Sequence, residues 1–334
     1  MNRLIGQESQ EVERKVISIL QVLNDSQEPL GARVVGRLLK GYGIELSERA
    51  VRYHLKIMDE RGLTLPVGRV GRVIAPLGAE ELKNALVGDK VGFIISKIEL
   101  LAFQTTFDLT RQTGQVPVNI SFFPSDKFAL ALDAMRGAFE AGFCVSHLVA
   151  VVPEGERVAG IVVPPGMTAL ATVCSIIING ALLRAGVPMD SRFGGILQVR
   201  ANNPLRFVDL IHYSGSSMDP SEIFITGRMT SVGEVVRSGE GKLLANFREI
   251  PAACRSLAES VLGGLKGVGL GGLLVMGETG EPVYQIPVTP NKIGMVLLGG
   301  LNPVAAAVEA GIEVANAAMG GLIDYGNLVS FWDL

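Results

Sequence analysis

The sequence predicts a mixed α/β (α+β) chain: an N-terminal winged helix-turn-helix, then a glycine-rich body built from two βαββαβ units, the ferredoxin-like order. Three observations predict it. Residues 46–75 separate an apolar from a basic helix face and then enter a glycine-bearing hairpin. Beyond residue 112, glycine becomes dense and short Val/Ile/Leu runs alternate with helical stretches. A strand–helix–strand–strand–helix–strand order recurs, over 116–200 and 241–331.

The head takes residues 1–78. Val12, Val16, Ile19, Leu20 and Leu23 form a helical stripe over about 10–25. Pro29-Leu30-Gly31 breaks it, and a second helix follows over about 32–41 with Val35, Leu38 and Leu39 inward. Gly41 and Gly43 allow the turn into Ser47, an N-cap, with Leu46 and Val51 spaced as a hydrophobic staple. In the third helix Val51, Leu55 and Met58 point to the core; Arg49, Arg52, Tyr53 and Lys56 occupy the other face with His54 beside them. Gly62 stops it, and two VGR triplets carry Arg69 and Arg72 into a wing. Such a helix reads base edges in a major groove while the wing holds phosphates. Ser47, Arg49, Arg52, Tyr53, His54, Lys56, Arg69 and Arg72 are the expected DNA contacts.

Residues 79–112 read as a helical connector, with Ile94, Ile98, Leu101 and Leu109 inward, and 113–334 as the body. The internal repeat aligns 116–156 with 241–281 at an offset of 125, matching Phe122 to Phe247 and Gly142 to Gly267; at an offset of 134, Gly166 meets Gly300 and Gly186 meets Gly320. Residues 201–240 read as an insert with strands near 208–213 and 223–229.

Composition narrows the function. The net charge of −3 divides into +3 over residues 1–78 and −6 over the remainder, a basic head on an acidic body. The head is only mildly basic, which implies two heads acting together, a homodimer on inverted-repeat operator DNA. Three scattered cysteines without CxxC argue against a disulfide framework or structural zinc and for the cytoplasm. The uncharged run 158–183 is broken by Pro164-Pro165-Gly166 and reads as a buried strand, loop and helix, not a membrane span.

No catalytic constellation emerges, and no cofactor or metal is expected. Residues 267–272 satisfy G-x-G-x-x-G, but a helix precedes and a strand follows, the reverse of a dinucleotide site, so the glycines read as a helix stop. The three histidines lack metal-ligand spacing. Residues 214–217 lack a nucleophile elbow, and 239–242 are not a P-loop. A small anion has two candidate landing loops. Pro164 to Thr168 reads as leading straight into a helix carrying Ala171, Cys174 and Ile178, with Gly299 to Asn302 as its counterpart. Arg192, Arg200 and Arg206 are close in sequence. The residues alone leave open that these glycines only permit turns, that the arginines are surface residues and that Cys174 is a small core residue.

Two resemblances bear on this. The stretch SERAVRYHLKIMDERGLT resembles the recognition helix of many prokaryotic winged-helix regulators. The segment TALATVCSIIINGALLRAGVP, its VAGIVVPPG lead-in, the FGG turn at Phe193 and GLNPVAAAVEAGI resemble the regulatory domain of the NrpR family of archaeal nitrogen repressors. That resemblance implies repression of nitrogen-assimilation and nitrogen-fixation genes, relief by 2-oxoglutarate, and a place for Cys174 in the effector-responsive part of the domain. Many relatives carry two such domains in tandem, whereas one is seen here. With the loop residues and arginines read from their chemistry and Cys174 from the resemblance, the expected effector residues are Gly166, Thr168, Cys174, Arg192, Arg200 and Asn302. Alternatives are a winged-helix regulator sensing another small ligand, and an enzyme with a DNA-binding appendage.

Overall fold

Apolar periodicity builds the head. In a computed structural model, which describes residues 2–26, 28–42, 44–85 and 92–334 with side chains from residue 12 onward, α1 (Asn2–Asn24) buries Val16, Ile19, Leu20 and Leu23, whereas Val12 is 46% exposed. Helix α2 (Ala32–Leu39) ends in a 3-10 turn, and α3 (Glu48–Glu60) buries Val51, Leu55 and Met58 against α1 and α2. Gly43, expected in the turn between them, lies outside the described residues. Strands β1 (Thr64–Val67) and β2 (Gly71–Ile74) form the antiparallel wing, and Leu30 pairs with Arg72 beside it. That pairing explains Gly71: a Cβ there would lie 2.3 Å from the Leu30 carbonyl carbon.

The predicted connector is not one helix. Helix α4 (Pro76–Asn84) ends before α5 (Phe93–Gln104), and 105–114 is a turn in which the Asp108 carboxylate accepts from the Thr110 and Arg111 N–H groups. An aspartate bonding its own following backbone competes with helix there. The chain forms two compact units, 1–97 with 215–217, and 98–214 with 218–334.

The body contains β3 (Gln115–Pro124), α6 (Phe128–Glu140), β4 (Leu148–Val152), the short pair β5 (Arg157–Val158) and β6 (Ile161–Val162), β7 (Met167–Val173), α7 (Ile176–Arg184) and β8 (Asp190–Arg200). After β9 (Asn203–His212), α8 (Pro220–Thr226) and α9 (Val232–Ser238) come β10 (Gly241–Pro251), α10 (Arg255–Gly267), β11 (Leu273–Thr279), β12 (Lys292–Leu298), α11 (Asn302–Glu309), β13 (Ala315–Asp324) and β14 (Val329–Ser330). The two sheets run β13-β3-β7-β4-β14 and β11-β12-β10-β8-β9. Each half thus gives three strands to its own sheet and sends its fourth, β8 or β13, to the edge of the other half's first strand. A single ferredoxin-like unit would keep that strand; here the exchange ties the halves together.

Residue correspondence between the halves differs from the sequence alignment. Helices α6 and α10 are both 13 residues long, each preceded by a 3-10 turn after a proline, at an offset of 127. Gly142 matches Gly269, both with φ near +70° to +80°; Gly166 matches Asn291 and Gly186 matches Gly311, again with positive φ, at an offset of 125. The alignment followed matching glycines, and αL positions accept Asn as well.

Two other elements depart from expectation. Met167 to Val173 is a strand, so Thr168 and Ala171 are not helical, and α7 starts only at Ile176. Both faces of its sheet are covered: Val118, Ile120 and Ala171 pack with α7 and α10, while Phe123 and Leu170 pack with α6 and α11. A strand buried on both faces loses its alternation and reads like a buried helix. Residues 223–229 lie mostly in α8 instead of a strand, capped by Asp219, whose carboxylate accepts from the Ser221 and Glu222 N–H groups, with Pro220 in the first turn. As expected, the 267–272 glycines stop α10, with Gly269 and Gly272 at positive φ.

Candidate functional sites: an exposed basic helix and a buried polar cavity

Helix α3 begins at Ser47, whose hydroxyl accepts from the Ala50 N–H at 3.2 Å. Arg49, Arg52, Tyr53 and Lys56 are exposed, Tyr53 to 64%. Arg52 pairs with Glu48 and Lys56 lies 3.9 Å from Glu60, both on the surface. Such pairs are worth at most about 1 kcal/mol and yield readily to a phosphate. Arg69 is exposed on the wing turn.

Two expected DNA contacts take other roles. His54 is 9% exposed among the core residues of α3, and burial, with Lys15 nearby, lowers its pKa. Its position, three residues after Val51, puts it on the apolar side. Arg72 Nε donates to Asp59 at 2.8 and 3.1 Å, and the Thr64 hydroxyl donates to the same carboxylate at 2.6 Å. Arg72 therefore fastens the wing to the end of α3.

The expected effector residues do not converge. Gly166 and Thr168 lie at the start of β7, where the Gly166 N–H donates to Glu154 at 2.5 Å and the Thr168 hydroxyl meets that of Ser125 at 2.9 Å. Cys174 follows the other end of the strand, roughly 20 Å from Thr168 at about 3.3 Å per residue. Arg192 donates to the buried Glu249 carboxylate at 2.8 Å, beside Thr289 and Lys292. Burial would raise the pKa of Glu249, but the Thr289 bonds and the two cations outweigh it and hold the carboxyl below its usual range. Arg200 is exposed at the end of β8, and Arg206, exposed within β9, bonds Gln198 on the neighbouring strand. Asn302 is fully buried; its side chain accepts from the Leu244 N–H at 2.8 Å and donates to the Leu244 carbonyl at 3.0 Å. It clamps β10.

Cys174 lines a polar cavity of about 20 Å³, together with Asn119, Ser175, Tyr213, Asn246, Arg248 and Gly300. The two halves meet here: Asn119 on β3 corresponds to Asn246 on β10, and Ser175 at the start of α7 to Gly300 at the start of α11. Close approach requires Gly300, where a Cβ would sit 2.4 Å from the Val173 oxygen. Symmetry breaks at Arg248, whose counterpart is Ser121. Arg248 is 1% exposed and donates to the hydroxyls of Ser175 at 3.0 Å and Ser191 at 3.4 Å, while its Nε has no partner among the described residues. Burial pulls its guanidinium pKa down and pushes the Tyr213 phenol up. Sequence reading missed Arg248 and Tyr213; an arginine in the apolar-rich strand LLANFREI was the available signal.

The model of the NrpR regulatory domains NRD1 and 2 matches residues 91–330. The chain belongs to the NrpR family. It is 41% identical to the Global nitrogen regulator NrpRI of Methanosarcina mazei, over 94% of this chain and 97% of that protein. It is 32% identical to the Global nitrogen regulator NrpR of Methanococcus maripaludis and to that of Methanocaldococcus jannaschii, spanning 93% and 94% of this chain but 54% of each of theirs. A crystal structure of a nitrogen repressor-like protein from Methanococcus jannaschii superposes with a TM-score of 0.61 at 28% identity, over 72% of this chain and 98% of that one. Residues 17–82 match the Ribonuclease R winged-helix domain model. These NrpR relatives are named regulators, not enzymes. Among the described residues no helix is long and apolar enough to cross a membrane.

Proposed function

We propose that this chain is a cytoplasmic transcriptional repressor that binds inverted-repeat operators of nitrogen-assimilation and nitrogen-fixation genes as a homodimer and leaves them when 2-oxoglutarate binds its body. The observation that carries the reading is a winged-helix head with an exposed Arg49/Arg52/Tyr53/Lys56 face joined to an NrpR regulatory body. Arg52 and Lys56 are the base-edge candidates, Arg49 and Arg69 the phosphate contacts, and Ser47 sets the start of the reading helix. One such head reads few base pairs, so specificity requires two on half-sites about one helical turn apart.

Release requires that 2-oxoglutarate bind the DNA-incompetent arrangement more tightly than the competent one, since equal affinity shifts nothing. A 100-fold loss of operator affinity corresponds to about 2.7 kcal/mol of coupling. The test measures operator binding by fluorescence anisotropy, with and without millimolar 2-oxoglutarate, in wild type and in an Arg52→Ala/Lys56→Ala double variant. The double variant should lose about 2–6 kcal/mol of operator affinity, the sum expected for two base-edge contacts of about 1–3 kcal/mol each. Unchanged affinity in a folded double variant would remove the reading-helix assignment. Full affinity of a monomer for one half-site would remove the dimer, and operator binding indifferent to 2-oxoglutarate would remove the effector.

A further inference from the structure

The cavity beside Cys174 is rich in donors and poor in acceptors. Ser175 Oγ accepts from both Arg248 Nη2 at 3.0 Å and Asn246 Nδ2 at 3.2 Å. Ser191 Oγ accepts from Arg248 Nη1 at 3.4 Å and Asn179 Nδ2 at 3.0 Å. Each hydroxyl, having accepted twice, still has its own O–H to give. The Asn246 oxygen is already taken by the Tyr213 O–H at 2.5 Å, and the Asn119 oxygen by the Met319 N–H at 3.1 Å. Helices α7 and α11, nine and eight residues long, both start at the cavity wall, at Ile176 and just after Leu301, and helix starts favour negative charge.

Arg248 is the decisive residue. Its guanidinium is buried to 1% exposure with two neutral hydroxyls as oxygen partners, and among the described residues no carboxylate lies within ion-pair distance of it. Its Nε points at no acceptor. Other buried charge in this body is paired: Glu249, the next residue, meets Arg192 and Lys292. Asp219, also in the wall, has its Oδ1 engaged by the first N–H groups of α8. A buried cation without a counter-charge costs several kcal/mol unless an anion arrives to meet it.

We propose that Arg248 is the anion anchor of the effector site, taking one carboxylate of a small organic acid into the cavity bounded by Asn119, Ser175, Tyr213, Asn246 and Gly300. This rests on the effector reading above and names the residue that would carry it. The cavity's 20 Å³ holds one small polar group and not a five-carbon diacid, so the rest of the ligand must displace wall residues. Cys174, Leu301 and Ile98 of α5 stand in that wall. A site that opens to admit its ligand is one whose occupancy changes the shape of the body, as release from DNA demands.

The test titrates 2-oxoglutarate into the full chain by calorimetry, for wild type, Arg248→Met and Arg248→Lys. Arg248→Met should bind at least 100-fold more weakly and Arg248→Lys about 10-fold more weakly, because lysine keeps the charge but not the planar fork. The unliganded unfolding midpoint of Arg248→Met, followed by Trp332 fluorescence, should equal or exceed that of wild type, as expected when an uncompensated buried charge becomes apolar. Wild-type affinity in both variants overturns the proposal and leaves 2-oxoglutarate as effector. If Arg248→Met does not fold, wild-type affinity in Arg248→Lys overturns it alone. If wild type does not bind 2-oxoglutarate, the effector reading falls, and titrations with glutarate and succinate decide Arg248 separately. Binding lost in the variants supports the anchor, and no binding of either diacid to wild type overturns it.

Discussion

Replacing Asn302 separates its structural from its ligand-binding reading. The Asn302 side chain mimics a strand partner for Leu244, accepting from its N–H at 2.8 Å and donating to its carbonyl at 3.0 Å, at zero exposure. In Asn302→Ala the Leu244 carbonyl keeps the Gly299 N–H at 2.9 Å, but its N–H is left buried without an acceptor. An orphaned buried donor costs about 1–3 kcal/mol, and the lost second bond about 1 kcal/mol more. The expected destabilisation is therefore about 2–4 kcal/mol. Asn302→Asp should be at least as harmful, because the carboxylate can still accept from the N–H but places a charge against the carbonyl. Trp332, the single tryptophan, lies in the body, so its fluorescence during urea unfolding reports that unit. With a slope of about 3 kcal/mol per molar urea, the midpoint should fall by roughly 1 M. An unchanged midpoint together with a lost response to 2-oxoglutarate would refute the clamp and restore Asn302 as an effector ligand.

Two further perturbations follow from the geometry. Arg69→Ala, on the exposed wing turn, should weaken binding to all DNA sequences alike and reduce the salt slope by about 1, measured by anisotropy across a salt series; Arg72→Ala should instead destabilise the head by about 1–2 kcal/mol through its lost Asp59 bonds. A DNA-affinity loss for Arg72→Ala with an unchanged circular-dichroism melt would return Arg72 to the phosphate contacts. Cys144 is buried, and burial pushes its thiol pKa up from 9.0 to about 12. The folded thiol stays protonated where the unfolded one ionises, so this contribution to stability is complete below pH 9 and is lost as the pH climbs from about 9 to 12. Iodoacetamide at pH 9 should reach the half-buried Cys254 well before Cys144, and mass spectrometry showing Cys144 labelled first in folded protein would contradict that placement.

Features that depend on near neighbours can be read directly from residue spacing. The head was legible because i, i+3 and i+4 spacing, the Ser47 cap and the Gly62 stop are local signals, and one solvent face keeps each helix amphipathic. The alternation of strands and helices within each half of the body was legible in the same way, as was the helix stop at 267–272, but the helical character of 223–226 and the strand at 167–173 were not. Features that depend on a distant partner emerge only in the folded chain. Nothing local tells β8 to leave its own half for β10, or β13 to pair with β3 some 200 residues earlier. Coverage of both sheet faces erased the alternation of β7 and moved Thr168 away from Cys174. His54 and Arg72 carried the right chemistry for DNA, but burial and an aspartate took them. The polar cavity was illegible because its members, Asn119, Ser175, Tyr213 and Arg248, come from four separate segments, and only the exchange of strands between the halves brings those segments to one place.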